Sequence, residues 1–129
     1  MFYVFSKTPT AAHTKADPFI LPMPLTAGVI HQVDVLFQSG AAHQEFVQIH
    51  YGGTQLWPSN RGEYLRGNAT VISFREFIEL PAGLNTLDAH ISTTLSGTFY
   101  EVLIQIGILP KRIIQPLSFE ELLNAAAGT

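Results

Sequence analysis

The 129-residue chain has no cysteine, which removes disulfides and thiolate chemistry from consideration. Charge is scarce as well: 13 % of residues are charged, and seven Lys and Arg against ten Asp and Glu leave a net charge of −3. These charges are scattered, with no basic stripe of the kind a nucleic-acid surface needs. No stretch approaches the roughly 18 apolar residues of a membrane span. The opening residues, MFYVFSKTPT, lack a basic segment leading into a long apolar one and do not read as a secretory signal. The expectation is a soluble protein made in the cytoplasm, with neither nucleic acid nor membrane as partner.

What is present is apolar. Hydrophobic residues make up 47 % of the chain, which argues against disorder, and the length is that of one domain. So little charge leaves an apolar surface, and homo-oligomerisation follows as an expectation.

Period-two alternation dominates the pattern. FYVFS (2–6) reads as a short strand, and PFILPMPLT (18–26), with its three prolines, as an edge strand or extended arm. VIHQVDVLF (29–37) sets Val29, His31, Val33, Val35 and Phe37 on one face. EFVQIHY (45–51) leads into Gly52-Gly53, which suits a tight hairpin turn into TQLW. TVISFREFIEL (70–80), LNTLDAHIS (84–92) and TFYEVLIQIGIL (98–109) complete the set. Strands at this spacing predict an all-β chain: an antiparallel β-sandwich or jelly roll of about 7–8 strands. Its predicted core is Val33, Val35, Val47, Ile49, Ile72, Phe74, Val102, Ile104 and Ile106.

One short helix is expected, at the C-terminus. Ser118 and Glu121 form a capping box, Leu117 and Leu122 a hydrophobic staple, and Gly128 a stop. The organisation predicted is an N-terminal strand or arm (1–17), the sandwich (18–109) and a tail with the helix (110–129). A helix of about ten residues does not persist alone in water. Ile113, Ile114, Leu117, Phe119, Leu122 and Leu123 are therefore expected to dock, with a neighbouring subunit as the favoured receiver.

Catalytic signals are weak. His31, His50 and His90 fall on three strands and could gather around a metal, yet no pair has a ligand spacing such as H-x-H. Scattered imidazoles are the expectation, with no metal and no cofactor. Asp34, Glu45, Asp88 and Glu101 sit on alternating strands and read as solvated positions. No G-x-S-x-G elbow or phosphate loop occurs, so the chain reads as a non-enzyme. The richest stretch is YGGTQLWPSNRGEYLRGN (51–68), which holds the only Trp. Tyr51, Trp57, Arg61, Tyr64 and Arg66 could form an interface; in a carbohydrate-binding module Tyr51, Trp57 and Tyr64 would stack on sugar rings while Asn60, Arg61 and Arg66 supply hydrogen bonds. The preferred role for Trp57 is a plug at a corner of the fold, beside a turn at 59–62.

The succession GVIHQVDVLF, VQIHYGGTQLWPSNRGEYLRGN and a late strand ending GILPK resembles the small β-sandwich decoration or cement proteins of tailed-phage capsids. The resemblance spans roughly residues 18 to 111. It implies a non-enzymatic virion subunit, often trimeric, seated on the major capsid protein. The alternative is the carbohydrate-binding module.

Overall fold

The computed structural model describes residues 1–110. They form eight strands: β1 (Phe2–Lys7), β2 (Phe19–Leu25), β3 (Gly28–Phe37), β4 (Glu45–Tyr51), β5 (Thr54–Trp57), β6 (Thr70–Leu80), β7 (Asn85–Thr93) and β8 (Val102–Leu109). Two four-stranded sheets result, ordered β1-β8-β3-β6 and β2-β7-β4-β5. Every pairing is antiparallel. Early and late strands alternate: β1 lies beside β8, β2 beside β7, β3 beside β6 and β4 beside β5. The chain is thus one long hairpin folded over on itself. Its closed end is Gly52-Gly53, where φ values of 59° and 80° meet the demand for two positive φ angles in a tight hairpin turn.

Both sheets contribute to a single apolar core, so the arrangement is sandwich-like. β3 and β8 supply Val33, Val35, Phe37, Ile104 and Ile106 from one side; β7 and β4 supply Leu87, Ala89, Ile91, Val47 and Ile49 from the other. Seven of the nine residues predicted for the core are fully buried. Ile72 and Phe74 are only half-buried, because β6 is the margin of its sheet and packs on the core from one flank. β2 is an edge strand, as its prolines suggest; it pairs with β7.

Strict alternation fails in β3. Between Ile30 and Gln32 the partner on β8 advances only from Ile108 to Gly107, so β3 carries an extra residue there, a β-bulge. Ile30 therefore shares the core with Val33, and His31 turns outward instead of lying with Val33. Gly107 lies beneath it: a Cβ there would stand 2.8 Å from His31 Nε2 and 2.7 Å from Phe2 Cε1.

β1 is held in the first sheet by its full register with β8 and by the Met1 ammonium, which donates to Ile108 O at 3.0 Å. The C-terminal helix expected over 118–128, and the docking residues Ile113, Ile114, Leu117, Phe119, Leu122 and Leu123, lie outside the described residues.

Candidate functional site: the outer faces of the two sheets

Residues 51–68 do not converge on one site. Trp57 closes β5 with its side chain turned inward, only 4 % exposed. Its ring meets Phe74 edge-on at 5.4 Å, and Nε1 donates to Glu76 Oε1 at 3.1 Å. An indole so enclosed has almost no face to offer a sugar. Tyr51 donates to Asn85 Oδ1 at 3.0 Å, and Asn85 in turn donates to Pro81 O. Arg61 lines a shallow hollow with His50 and Gln55. Tyr64 and Arg66 share a different one with Lys15 and Phe46.

Glutamine side chains shape this segment. Gln55 Nε2 donates to Pro58 O at 2.7 Å while its Oε1 accepts from Gly62 N–H. Gln48 Nε2 reaches Glu63 O at 2.9 Å. Leu65 then exchanges two backbone hydrogen bonds with Val47, in line with β5 at the edge of the second sheet. The loop is thereby fastened along β4. Beside it, the Lys15 ammonium lies 4.0 Å from the Phe46 ring centre and 5.1 Å from that of Tyr64.

The same face carries two of the candidate histidines. His50 (β4) and His90 (β7) stack with ring centres 3.9 Å apart and planes within 16°. Since the Gln48 amide nitrogen donates to Glu63, its oxygen is the acceptor for His50 Nε2 at 3.1 Å, so that nitrogen carries the hydrogen. Burial lowers the pKa of His50, and nearby Asp88 partly offsets this. For His90, burial and then the His50 charge lower it, again against Asp88. Both shifts favour the neutral imidazole.

His31 does not join them. It belongs to the first sheet, edge-on to Phe2 at 5.8 Å. Its Nε2 is buried without a hydrogen-bond partner among the described residues. The three-histidine cluster considered from sequence is thus divided between two sheets. Glu45 is a second correction. Read as solvated, it is fully buried, with Oε2 accepting from Tyr100 N–H at 3.1 Å. Burial raises its pKa against that hydrogen bond.

The outer face of the first sheet has a different character. Phe2 (60 % exposed), Val4 (56 %), Val71 (53 %) and Phe77 (48 %) stand along its two margins, on β1 and β6. Between them runs a polar ladder: Gln32 Nε2 donates to Ser73 Oγ at 2.7 Å and to Asp34 Oδ1 at 3.0 Å, and Ser73 Oγ also donates to Asp34 Oδ1. A groove of about 600 Å³ crosses this face from Phe2 over His31 to Arg75 and Phe77. The residues had not been singled out, though a signal exists. FYVF is apolar on both faces of its strand, and Val71 and Phe77 fall on the polar side of β6.

No family model, no curated protein and no solved structure matches this chain.

Proposed function

We propose that the chain is a non-enzymatic structural subunit of jelly-roll type that works by associating with copies of itself and with a larger protein shell. The strand order supports this reading. Pairing early strands with late ones across two sheets is what a rolled-up hairpin produces, and capsid domains share that architecture with lectins and cupins. The observation that carries it is the placement of exposed apolar side chains. Of the large apolar side chains exposed among the described residues, Phe2, Val4, Val71 and Phe77 share one outer face, while Ile20 and Leu84 lie elsewhere, and a shared exposed apolar face is the mark of an interaction surface. The mechanism is binding: each apolar Å² removed from water contributes about 25 cal/mol.

In this reading the location is the virion, the shell partner is the major capsid protein, and the tail with its short helix reaches a neighbouring subunit through Ile113, Ile114, Leu117, Phe119, Leu122 and Leu123. Sedimentation equilibrium of the full chain at several concentrations tests it. A mass rising above that of the monomer is expected; a monomer throughout overturns the proposal.

A second reading, a carbohydrate-binding module, is favoured by the hollow that places Lys15 and Arg66 beside Phe46 and Tyr64. Lys15 lies over both rings, and Arg66 lines the hollow together with Glu63, a mixture of cation, anion and aromatic surface that suits a sugar. A glycan array carrying acidic and neutral sugars should respond, with loss of signal in Tyr64→Ala; a silent array removes this reading.

A further inference from the structure

We infer that the free edge of β1 takes up β1 of a second copy of this chain, antiparallel about a twofold axis through Val4, so that the first sheets of the two copies run on as one. This rests on the assembly reading above and names a contact that builds it.

Hydrogen-bond alternation fixes what the edge offers. The Met1 ammonium donates to Ile108 O at 3.0 Å, and Met1 O accepts from Ile108 N–H at 2.7 Å. Such doubly bonded pairs recur at every second residue of an antiparallel ladder. Tyr3, Phe5 and Lys7 therefore turn their backbone polar groups to β8, while Phe2, Val4 and Ser6 turn theirs outward. No other described strand pairs with that side, and no turn or loop among the described residues bonds these groups. The loop after β1 leads away to the second sheet, where His13 O accepts from Thr93 N–H and Lys15 lies over Phe46.

The strand is also unprotected by its sequence. Prolines, charges, bulges and short length are the devices that blunt an edge, and FYVFSK has no proline and no charge before Lys7. Each of the other three edges carries at least one. β2 has Pro22 and Pro24, which have no N–H to give. β5 is four residues long. β6 carries Arg75, Glu76 and Glu79 and is broken by a register shift between Arg75 and Ile78.

A second β1 is the occupant because the strand is complementary to itself. With Val4 opposite Val4 of the partner subunit, Phe2 lies opposite Ser6 of the partner subunit, and the twofold repeats the contact. Every outward N–H of Phe2, Val4 and Ser6 then meets an outward C=O. Sliding the pair by two residues leaves one outward residue of each copy unanswered, so the register is specified. On the inner face it sets Tyr3 opposite Phe5 of the partner subunit, and again across the axis. Within each copy these two rings already lie parallel, 6.4 Å between centres and 7° between planes, packed against the core. Aromatic cross-strand pairs of this kind stabilise a sheet. On the outer face Phe2 and Val4, 60 % and 56 % exposed, gain Val4 of the partner subunit as a neighbour. Lys7 lies opposite Met1 of the partner subunit, and each of these cations is engaged in its own chain, over the Phe19 ring at 4.3 Å and on Ile108 O. Six residues of strand are about 20 Å long, a contact smaller than the roughly 1,000 Å² of lasting specific interfaces. The pairing is therefore weak and fills as concentration rises.

Proline at position 4 separates backbone pairing from other contacts. Val4→Pro removes the outward N–H at the axis and takes no bond from β8, in a place where an edge strand accepts proline. The experiment is sedimentation equilibrium of the full chain, of Val4→Pro, of Val4→Thr and of Leu84→Asp, an exposed position between β6 and β7. Circular dichroism checks each fold, and amide exchange at Val4 is followed over the same concentrations. The unmodified chain should associate as concentration rises, with Val4 exchange slowing in step. Val4→Pro should weaken association at least about tenfold; Val4→Thr, which keeps the N–H, and Leu84→Asp should leave it unchanged. Association that survives Val4→Pro, that is lost equally in Val4→Thr, or that leaves Val4 exchange unslowed overturns this inference while leaving the assembly reading intact. If Val4→Pro does not fold, the exchange at Val4 of the unmodified chain decides. A Val4 amide protected at every concentration until residues 111–129 are deleted makes the tail the occupant and also overturns it. A monomer in every form overturns both.

Discussion

The outer faces of the two sheets are built on the same number of strands and differ in how they are finished. On the second sheet many polar groups are answered within the chain, although Ser92 Oγ and Glu45 Oε1 are buried without a hydrogen-bond partner among the described residues. Gln48 and Gln55 fasten the 58–65 loop, and Lys15 lies over Phe46. Even its most unusual feature, the His50–His90 stack, is braced by Gln48. On the first sheet only the central ladder is answered, while aromatic and β-branched side chains stand open along both margins. Chemistry held in place by internal hydrogen bonds belongs to a surface that the monomer completes itself. The exposed side chains of the first sheet are the basis of the assembly proposed above.

The sharpest challenge to that contrast lies between the sheets, at Trp57. Its ring joins β5 to Phe74 and Glu76 of β6, so Trp57→Ala should cost about 3–5 kcal/mol in urea unfolding. A loss under about 1 kcal/mol would mean the indole does not tie the sheets together. Next comes Gln48→Ala, which leaves the His50 N–H unanswered and Glu63 O with only the long bond from Gln55 at 3.5 Å. About 1–3 kcal/mol is expected, with faster proteolytic cleavage in the 58–64 loop; an uncut loop of unchanged stability would show that the second face is not held by this residue.

Acidity gives a smaller, signed effect. His50 and His90 have folded pKa values below the ordinary 6.5, so the unfolded chain takes up protons first as pH falls. Their contribution to stability is present above 6.5 and is lost on acidification from there down to the folded values. Glu45 acts oppositely. Its pKa is raised above 4.5, so folding gains as pH falls through the raised value towards 4.5. Thermal melts should show that His50→Gln with His90→Gln removes the first slope and Glu45→Gln the second. Slopes unchanged by these substitutions would refute the assignment. The smallest effect is expected at Val71→Ser on the open face, under about 0.5 kcal/mol for the monomer. A larger loss, measured where the chain is monomeric, would show that this face is already part of the fold.

Much of this architecture is legible from residues alone. Alternation located the strands and seven of nine core positions, because the side chains of a strand point to opposite faces at every step. Gly52-Gly53 announced its hairpin, and three prolines announced an edge. Trp57 beside Pro58 suggested a corner plug, and its burial shows the ring packed in that manner. Other features depend on which strands become neighbours. Alternation cannot reveal that His50 and His90 share a sheet and His31 does not, since each sits on a strand of its own. Nor can it anticipate the bulge that turns His31 outward, which arises only when β3 is matched against β8. Glu45 looked solvated because polar residues on strands usually are. Its burial comes from the packing around the start of β4, where the Tyr100 N–H meets it from far along the chain. Period two, one hairpin and an apolar composition were thus the sequence's own contribution, through local sterics and hydrophobicity. The pairing of early strands with late ones was decided by the tertiary structure, through contacts between residues far apart in the chain. That pairing is what separates the histidines, buries Glu45 and gathers four exposed apolar residues onto one face.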